Sequence, residues 1–343
     1  MAHSESTSRA RSRYAVLDAL RFVLAFWVTV GHFGSFPLFA GVDISTKLGR
    51  TLEHGWNSLV FGTPAVIVFF VISGFCIHLP YRDGKRLPLG RYYARRYTRI
   101  LVPLAGALVL FHYSGKKMQF WGEHSFLWES VLWSLACEEI YYAIYPGLRI
   151  LRNRFGWKML LGSAFAVGVV TAATRRYAAD WHPYGPFLTA LILLPVWLLG
   201  CLLAEQASNL VPLASRRNIW LWRFLIWAAS WVTEMLHFKV HLSYAHTMIW
   251  FGVLAYFWIK KELAYSGFSP PWKLLVSAGG WSYSLYLVHE PAFAFYFMLR
   301  LPNLGIFVNW FASFAFILAA CYLFYLLVER PSHRLAQKIR LSA

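Results

Sequence analysis

The stretch SLVFGTPAVIVFFVISGFCIHLP, residues 58–80, decides the fold class of this chain. A helix needs about 20 mainly apolar residues to cross a hydrocarbon core of roughly 30 Å, and this stretch has that length. The whole chain of 343 residues is 58% hydrophobic and only 14% charged, well below the roughly 25% charge of soluble domains. The sequence therefore predicts an all-α, polytopic integral membrane bundle and excludes a soluble globular domain.

Apolar runs between charged residues predict ten transmembrane spans. They lie near residues 17–36, 58–80, 100–113, 126–147, 157–174, 186–204, 219–236, 243–259, 275–298 and 304–328. The third is short. Residues 1–16 and 329–343 are then tails around a transmembrane domain of residues 17–328, and we expect a multi-pass protein of the inner cell membrane.

Basic residues are distributed unevenly between the two sides of these spans. With the N-terminus inside, most of the 33 Lys and Arg residues fall in inside segments, which predicts that both termini are cytoplasmic. The formal charge of +18 is thereby explained by membrane topology, and we expect no nucleic-acid partner. The polar N-terminus lacks an apolar region followed by a cleavage site, so it is interpreted as a tail and not as a signal peptide.

Charged and titratable side chains inside spans are costly and indicate functional sites by default. In the first span, Arg21 and His32 are eleven residues apart, which places them on one helix face about 16 Å apart along the axis. Asp18 lies one turn before Arg21 on that face. A histidine can take and return a proton near neutral pH, so this face predicts proton abstraction from a hydroxyl. The alternative for His32 is a structural hydrogen bond to a backbone carbonyl.

A second polar group lies in WSLACEEIYYAIYP, residues 133–146. A spacing of four residues places Ser134, Glu138 and Tyr142 on one helix face, and Glu139 points about 100° away. Glu138 is predicted to orient His32 or to hold a cationic group. A structural ion pair with an intramembrane arginine is an equal alternative.

A third group is the basic loop YRDGKRLPLGRYYARRYTRILVP, residues 81–103. Arginine side chains bind phosphate in a bidentate manner, so this loop is a candidate docking site for the phosphates of an acyl-CoA thioester. Positive-inside topology alone is the competing explanation. The candidate ligands are Arg91, Arg95, Arg96 and Arg99.

The last group lies in SYSLYLVHEP, residues 282–291, where His289 and Glu290 precede Pro291. Both are functional candidates, with an interfacial polar pair at a proline kink as the alternative. No pair of His, Asp or Cys residues has ligand spacing within one loop or span, so the sequence predicts no metal site.

In combination and order, these segments resemble the acyltransferase-3 family of integral-membrane acyltransferases. The elements are LDALR at 17–21 followed by His32, FFVISGF at 69–75 with the further candidate Ser73, RRYTRILVP at 95–103, WSLACEE at 133–139, YSLYLVHEP at 283–291 and VERP at 328–331. Each motif alone is weak, whereas their order across almost the whole chain is specific.

The resemblance implies transfer of an acyl group, usually acetyl, from cytoplasmic acyl-CoA to a hydroxyl of a carbohydrate or glycolipid. Membrane lipid is a further expected partner, since the enzyme would lie in the membrane. It implies that His32 is the base or transient acyl carrier and that Arg21 stabilises an oxyanion or the carbonyl of the donor. Glu138 matches a glutamate that the family carries in a transmembrane span. Arg96 and Arg99 match the family's arginine motif. Many members carry an extracytoplasmic hydrolase-like domain after the last span, so we expect self-sufficient transfer or a separate extracytoplasmic partner.

Two other functions compete with the acyltransferase. A transporter or flippase of a lipid-linked sugar or acyl carrier would use the buried charges as a proton relay, although no internal repeat is detectable. A scaffold of a polysaccharide-export complex would leave the alignment of Arg21 with His32 unexplained.

Overall fold

The structure is a computed structural model of the chain. It describes residues 2–339 except 40, 44, 58, 61, 83, 116–117, 119–125, 127–129 and 176–179, and for residues 2–13 it describes the backbone alone. The chain divides into two compact units. The first comprises residues 1–24, 63–87 and 132–280, and the second comprises residues 25–62, 88–131 and 281–343.

The described residues form helices and connecting turns, without a strand among them. The helices are α1 (Ala2–Phe33), α2 (Lys47–Asn57), α3 (Gly62–His78), α4 (Leu89–Tyr113), α5 (Leu132–Thr174), α6 (Gly185–Gln206), α7 (Arg216–Val240), α8 (Tyr244–Ser266), α9 (Lys273–Ala278), α10 (Ser282–Met298), α11 (Ile306–Phe324) and α12 (Arg330–Lys338). A π-helical turn, Tyr325–Glu329, joins α11 to α12. The all-α prediction is thus confirmed over the described residues.

In the first unit, two glycines bring α3 and α6 into backbone contact. A Cβ atom on Gly74 would lie 2.0 Å from the carbonyl oxygen of Trp197, and one on Gly200 would lie 2.0 Å from that of Val71. Trp197 is completely buried. Small residues allow such close approach between apolar helices, where packing and hydrogen bonds replace the hydrophobic effect as the stabilising forces.

In the second unit, α10 packs on α11, and α4 packs on α12. Aromatic rings fill the space beside the end of α1, where Phe33 contacts the rings of Phe293, Trp310 and Phe314. These rings give the end of α1 a fixed position relative to α10 and α11.

Each predicted span overlaps a helix, but length and composition support fewer crossings than ten. Among the described residues, five helical stretches are long and apolar enough to cross a membrane. They are Tyr14–Phe33, Lys47–Tyr81, Leu132–Thr174, His182–Asn209 and Ile306–Lys338. The number of ten spans and the cytoplasmic termini therefore stay predictions.

Two predicted boundaries were wrong. The basic segment that was interpreted as a loop forms the first turns of α4, which begins at Leu89 and not near residue 100. The predicted span 275–298 is broken at Gly279–Trp281, since a Cβ on Gly279 would lie 2.1 Å from the carbonyl oxygen of Asp18. By contrast, the predicted separation of the spans 126–147 and 157–174 is present as a kink in α5 at Gly156, whose φ of 77° lies in the left-handed region that glycine tolerates.

Both predicted tails contain helical backbone. Helix α1 begins at Ala2, so the backbone of the polar segment continues the helix of the first apolar run. The predicted C-terminal tail contains α12.

The contact between α3 and α6 generates a prediction about stability. We expect Gly200→Ala to destabilise the protein by about 1–3 kcal/mol, because the added methyl group must displace backbone atoms of α3. The measurement is the midpoint of thermal unfolding in detergent. Gly162→Ala in α5 is the matched control, since a Cβ there meets no atom within 4 Å. Equal midpoints for the two variants would contradict the proposed backbone contact.

Candidate active site

The second unit brings two of the predicted histidines into direct contact. His32 near the end of α1 and His289 in α10 are joined by a hydrogen bond of 2.8 Å between Nδ1 of His32 and Nε2 of His289. Their rings are stacked, with centroids 5.1 Å apart and planes inclined by 18°. His289 is buried, whereas the side chain of His32 is 44% exposed. The pair therefore has one fixed member and one member that is accessible to other molecules.

The hydrogen-bond partners determine which nitrogen carries each proton. Nδ1 of His289 lies 3.0 Å from the carbonyl oxygen of Leu285, which can only accept, so this nitrogen donates. A neutral His289 then accepts at Nε2, and Nδ1 of His32 must be the donor. The proton of neutral His32 is thus on Nδ1, and its Nε2 carries the lone pair, which is the form that a general base requires.

The surroundings of His32 suit a proton transfer. A Cβ on Gly62 would lie 3.8 Å from Nε2 of His32, so the start of α3 lies beside the basic nitrogen. Oε1 of Glu290 lies 3.9 Å from Nδ1 of His32, close enough to form an ion pair when the imidazole is protonated. The prediction that His289 and Glu290 belong to a polar site is consistent with these contacts.

The same three side chains bear on the prediction of no metal. Ligand-type atoms of His32, His289 and Glu290 lie within 4.8 Å of one another, which spacing within one segment could not reveal. Two ligands of a tetrahedral zinc ion are separated by about 3.3 Å, given Zn–N bonds of about 2.0 Å. The imidazole nitrogens lie closer than that, at 2.8 Å, and a hydrogen bond accounts for the distance. The geometry thus fits a hydrogen-bonded pair better than a metal centre, and the absence of a metal stays a prediction.

The predicted phosphate ligands lie on one side of the first turns of α4. At 100° per residue, the four positions fall within an arc of about 140° on the helix. Arg95 and Arg99 are exposed, and Arg91 and Arg96 are half-buried. A helix fixes these side chains relative to one another more firmly than the predicted loop would, and the result is a continuous basic face.

A buried carboxylate that the candidate set omitted connects this basic face to α10. Glu329, which is 1% exposed, accepts hydrogen bonds at Oε2 from the backbone nitrogen of Ser284, at 2.9 Å, and from the Ser284 hydroxyl. Its Oε1 lies 3.4 Å from Nε2 of His333, which accepts from Nε of Arg99 at 3.0 Å. The glutamate thereby satisfies a backbone nitrogen in the first turn of α10 that has no partner within the helix. The sequence signal was the motif VERP, to which no role had been assigned.

Arg21 lies in the first unit. Its guanidinium donates to Oδ1 of Asp18 at 3.2 Å, as the spacing of one turn predicts, and to the sulfur of Cys76 at 3.1 Å. An uninterrupted helix α1 carries both Arg21 and His32, as their predicted common face requires. The role of Arg21 at an oxyanion stays a prediction.

The predicted glutamates and their neighbours also belong to the first unit. The hydroxyl of Tyr142 lies 2.7 Å from that of Ser73, which accepts from the indole nitrogen of Trp197 at 3.2 Å. The predicted site residues Ser73 and Tyr142 are therefore hydrogen-bonded to each other. Glu138 and Glu139 lie on α5 and are half-buried. The suggestion that Glu138 orients His32 stays a prediction, as does its pairing with a cation.

A further polar cluster of the first unit was missed. His78 is 2% exposed and lies between the hydroxyl of Tyr145, at 2.9 Å, and Oε1 of Glu205, at 2.8 Å. Arg152 donates to the same carboxylate oxygen at 2.6 Å. The sequence signal for this cluster was a histidine, His78, near the end of the apolar run 58–80. Its partners come from distant segments, so the sequence could not identify them. Because Arg152 satisfies Glu205, this cluster is complete without a ligand.

Comparison with known proteins gives one finding. The sequence profile of the acyltransferase-3 family, described as an acyltransferase domain, matches residues 14–326. No curated protein and no solved structure matches the chain significantly. The matched region includes both histidines and the whole arginine face.

The carboxylate contact at the start of α10 generates a second prediction. Glu329→Ala should lower the thermal midpoint by several degrees, because a buried nitrogen that loses its partner costs about 1–3 kcal/mol. Ser284→Ala should cost less, since it removes only the hydroxyl donor. In the Glu329→Ala background, Ser284→Ala should cost almost nothing. Additive losses in this double-mutant cycle would mean that the two side chains are not coupled.

Proposed function

This chain belongs to the acyltransferase-3 family and is an integral membrane protein, and from that premise we propose that it is an O-acyltransferase. It would transfer an acyl group from cytoplasmic acyl-CoA to a hydroxyl of a carbohydrate or glycolipid, and acetyl is the acyl group that we propose. The observation that carries this proposal is the hydrogen-bonded chain from the Leu285 carbonyl through His289 to His32.

The proposed reaction uses His32 as the general base. Its Nε2 takes the proton of the acceptor hydroxyl while the hydroxyl oxygen attacks the carbonyl carbon of the thioester. The new C–O bond forms, the C–S bond breaks, and the leaving thiolate of coenzyme A takes the proton back from His32. His289 would act as a positioning residue that holds the required tautomer of His32, and the carboxylate of Glu290 would stabilise the imidazolium that forms in between.

The basic face of α4 is the proposed docking site for the phosphates of the donor. Coenzyme A carries several phosphate charges, and guanidinium groups bind phosphate oxygens with paired hydrogen bonds. Support comes from the helical arrangement of the four arginines and from their location in the same compact unit as the two histidines. The contact of Arg99 with His333 indicates that one of the four also has a structural partner.

The remaining roles are proposed on the family resemblance. Arg21 would stabilise the oxyanion of the tetrahedral intermediate, and Glu138 would orient or neutralise a group of the site. We further propose a multi-pass protein of the inner membrane with both termini in the cytoplasm, consistent with the distribution of Lys and Arg. A separate extracytoplasmic partner would be needed only if the acceptor cannot reach His32 itself.

The proposed chemistry predicts the effect of three substitutions on the release of coenzyme A from acetyl-CoA by detergent-solubilised protein. With membrane glycan extract as acceptor, His32→Ala should lower acceptor-dependent release by roughly 10²- to 10⁴-fold, since the base is lost. His289→Leu should lower kcat by roughly 10²-fold, and His289→Gln should recover part of it because its carbonyl oxygen can accept from Nδ1 of His32.

The controls of this assay separate mechanism from folding. Each variant is first compared with wild type by thermal midpoint and by gel filtration. Equal, acceptor-independent rates in wild type and His32→Ala would remove the proposed mechanism and favour the transporter. An acetyl group found on His32 by mass spectrometry, after incubation with acetyl-CoA alone, would assign it as an acyl carrier and contradict the role of a base.

The donor site generates a separate prediction. Arg96→Ala combined with Arg99→Ala should weaken binding of acetyl-CoA at least tenfold, as measured by titration calorimetry, and wild-type affinity should fall as salt is raised. The matched control is Arg216→Ala with Arg217→Ala, which removes two exposed arginines at the start of α7. If both double variants bind acetyl-CoA within twofold of wild type, the basic face of α4 is not the donor site.

A further inference from the structure

A cavity of about 290 Å³ lies in the second unit beside the end of α1. Its wall includes Gly31 and Gly34, which flank His32 in the chain, and Ile306 of α11. The rest is formed by the segment that follows α1 and by one side of α2, through Phe36, Phe39, Glu53, Trp56 and Asn57 among others. The cavity thus adjoins the segment that carries the candidate base.

Three polar and aromatic side chains on one face of helix α2 line this cavity. Glu53, Trp56 and Asn57 are spaced by three and four residues, so they share a helix face. Within the part of the chain that the structure describes, neither the carboxylate of Glu53 nor the amide of Asn57 has a hydrogen bond or ion pair. Half-buried Glu53 therefore offers two acceptor oxygens, and Asn57 offers a donor and an acceptor, to a molecule in the cavity.

Trp56 is held in place by the opposite wall. Its indole nitrogen donates to the carbonyl oxygen of Phe36 at 2.7 Å, and its ring contacts that of Phe39 in an edge-on arrangement. Phe36 in turn packs on the rings of Trp310 and Phe311 of α11. The aromatic surface of the cavity is therefore rigid before any ligand binds, which lowers the entropic cost of binding.

The start of α2 is fixed as well. The hydroxyl of Thr46 accepts from the backbone nitrogen of Gly49 at 3.0 Å and caps the helix. Hydrogen bonds from the side chain and backbone of Ser45 hold the pKa of the Asp43 carboxyl below its usual value. Both walls of the cavity are thus anchored by contacts within the second unit.

The lining selects a class of ligand. No cationic side chain is present among the described residues of the wall, which disfavours a phosphate or carboxylate. A carboxylate and an amide bind hydroxyl groups, and aromatic rings cover the apolar C–H faces of a sugar ring. The cavity volume lies just below the roughly 300–1,000 Å³ that small-molecule sites occupy, so it suits one ring and not an oligosaccharide.

We propose that this cavity binds one pyranose ring of the acyl acceptor. Glu53 and Asn57 bind its hydroxyls, Trp56 covers one face, and the position beside Gly31 and Gly34 brings a free hydroxyl towards His32. The inference rests on the proposed function and adds to it a location and a set of acceptor ligands.

The test separates acceptor recognition from the acyl-transfer chemistry. Coenzyme A release from acetyl-CoA is measured with two kinds of nucleophile: hydroxylamine, which needs no sugar site, and a panel of methyl pyranosides of hexoses, deoxyhexoses and N-acetylhexosamines at up to 100 mM. Glu53→Gln keeps the shape of the side chain and removes its charge. His54→Ala, an exposed position of the same helix outside the cavity, is the matched control.

We expect at least one pyranoside to serve as acceptor for wild type, and Glu53→Gln and Asn57→Ala each to raise its KM about tenfold. Their rates with hydroxylamine and their thermal midpoints should match those of His54→Ala. A KM within twofold of wild type for both variants would overturn the acceptor site, and so would a panel without any acceptor while hydroxylamine is acetylated. Loss of the proposed function itself would look different, because release with hydroxylamine and with every pyranoside would then be no faster with wild type than without protein.

Discussion

Hydrocarbon offers no hydrogen bonds, so a polar side chain within the apolar helices of this protein is costly unless it finds a partner in the protein itself. His78 lies between Tyr145 and Glu205, and Arg223 binds both oxygens of the buried Glu262 carboxylate. His32 and His289 satisfy each other. This constraint turns isolated polar residues of the sequence into a small number of defined contacts, and it gives each contact a preferred geometry.

The constraint also explains how His32 becomes a directed base with an imidazole, and not a carboxylate, as the hydrogen-bond acceptor at its Nδ1. A backbone carbonyl fixes the proton of His289, which fixes the proton of His32, and the basic nitrogen is left on the side of Gly62. A histidine in water would exchange between its two tautomers freely. In the proposed reaction, fixing the tautomer of His32 requires no free energy at the moment of proton transfer, because folding has already established it.

The second unit contains the proposed base, the proposed donor site and the proposed acceptor cavity, whereas Arg21 and Glu138 belong to the first unit. The basic face of α4 would hold the donor, the histidine pair would move the proton, and the cavity beside α2 would hold the acceptor. Glu329 lies between the helix of the histidine pair and the basic face. Its carboxylate caps the start of α10, which carries His289, and lies beside His333, which accepts a hydrogen bond from Arg99. The π-helical turn that ends at Glu329 places this side chain, which is consistent with the frequent occurrence of such turns at functional sites.

The sequence by itself determined the helical class, the approximate positions of the long apolar helices, the family and most of the residues of the candidate site. These follow from local properties, namely the length of apolar runs, the spacing along a helix and the order of short motifs. Helix α4 starts eleven residues before the predicted span because arginines and tyrosines propagate a helix as well as apolar residues do, so polarity alone misplaced its start. Only the tertiary structure decided that His289 is the partner of His32, that Glu329 caps α10, and that α2 forms the wall of a cavity. Each of these depends on contacts between segments that are far apart in the chain, 257 residues for the two histidines, and no local pattern specifies such a pairing.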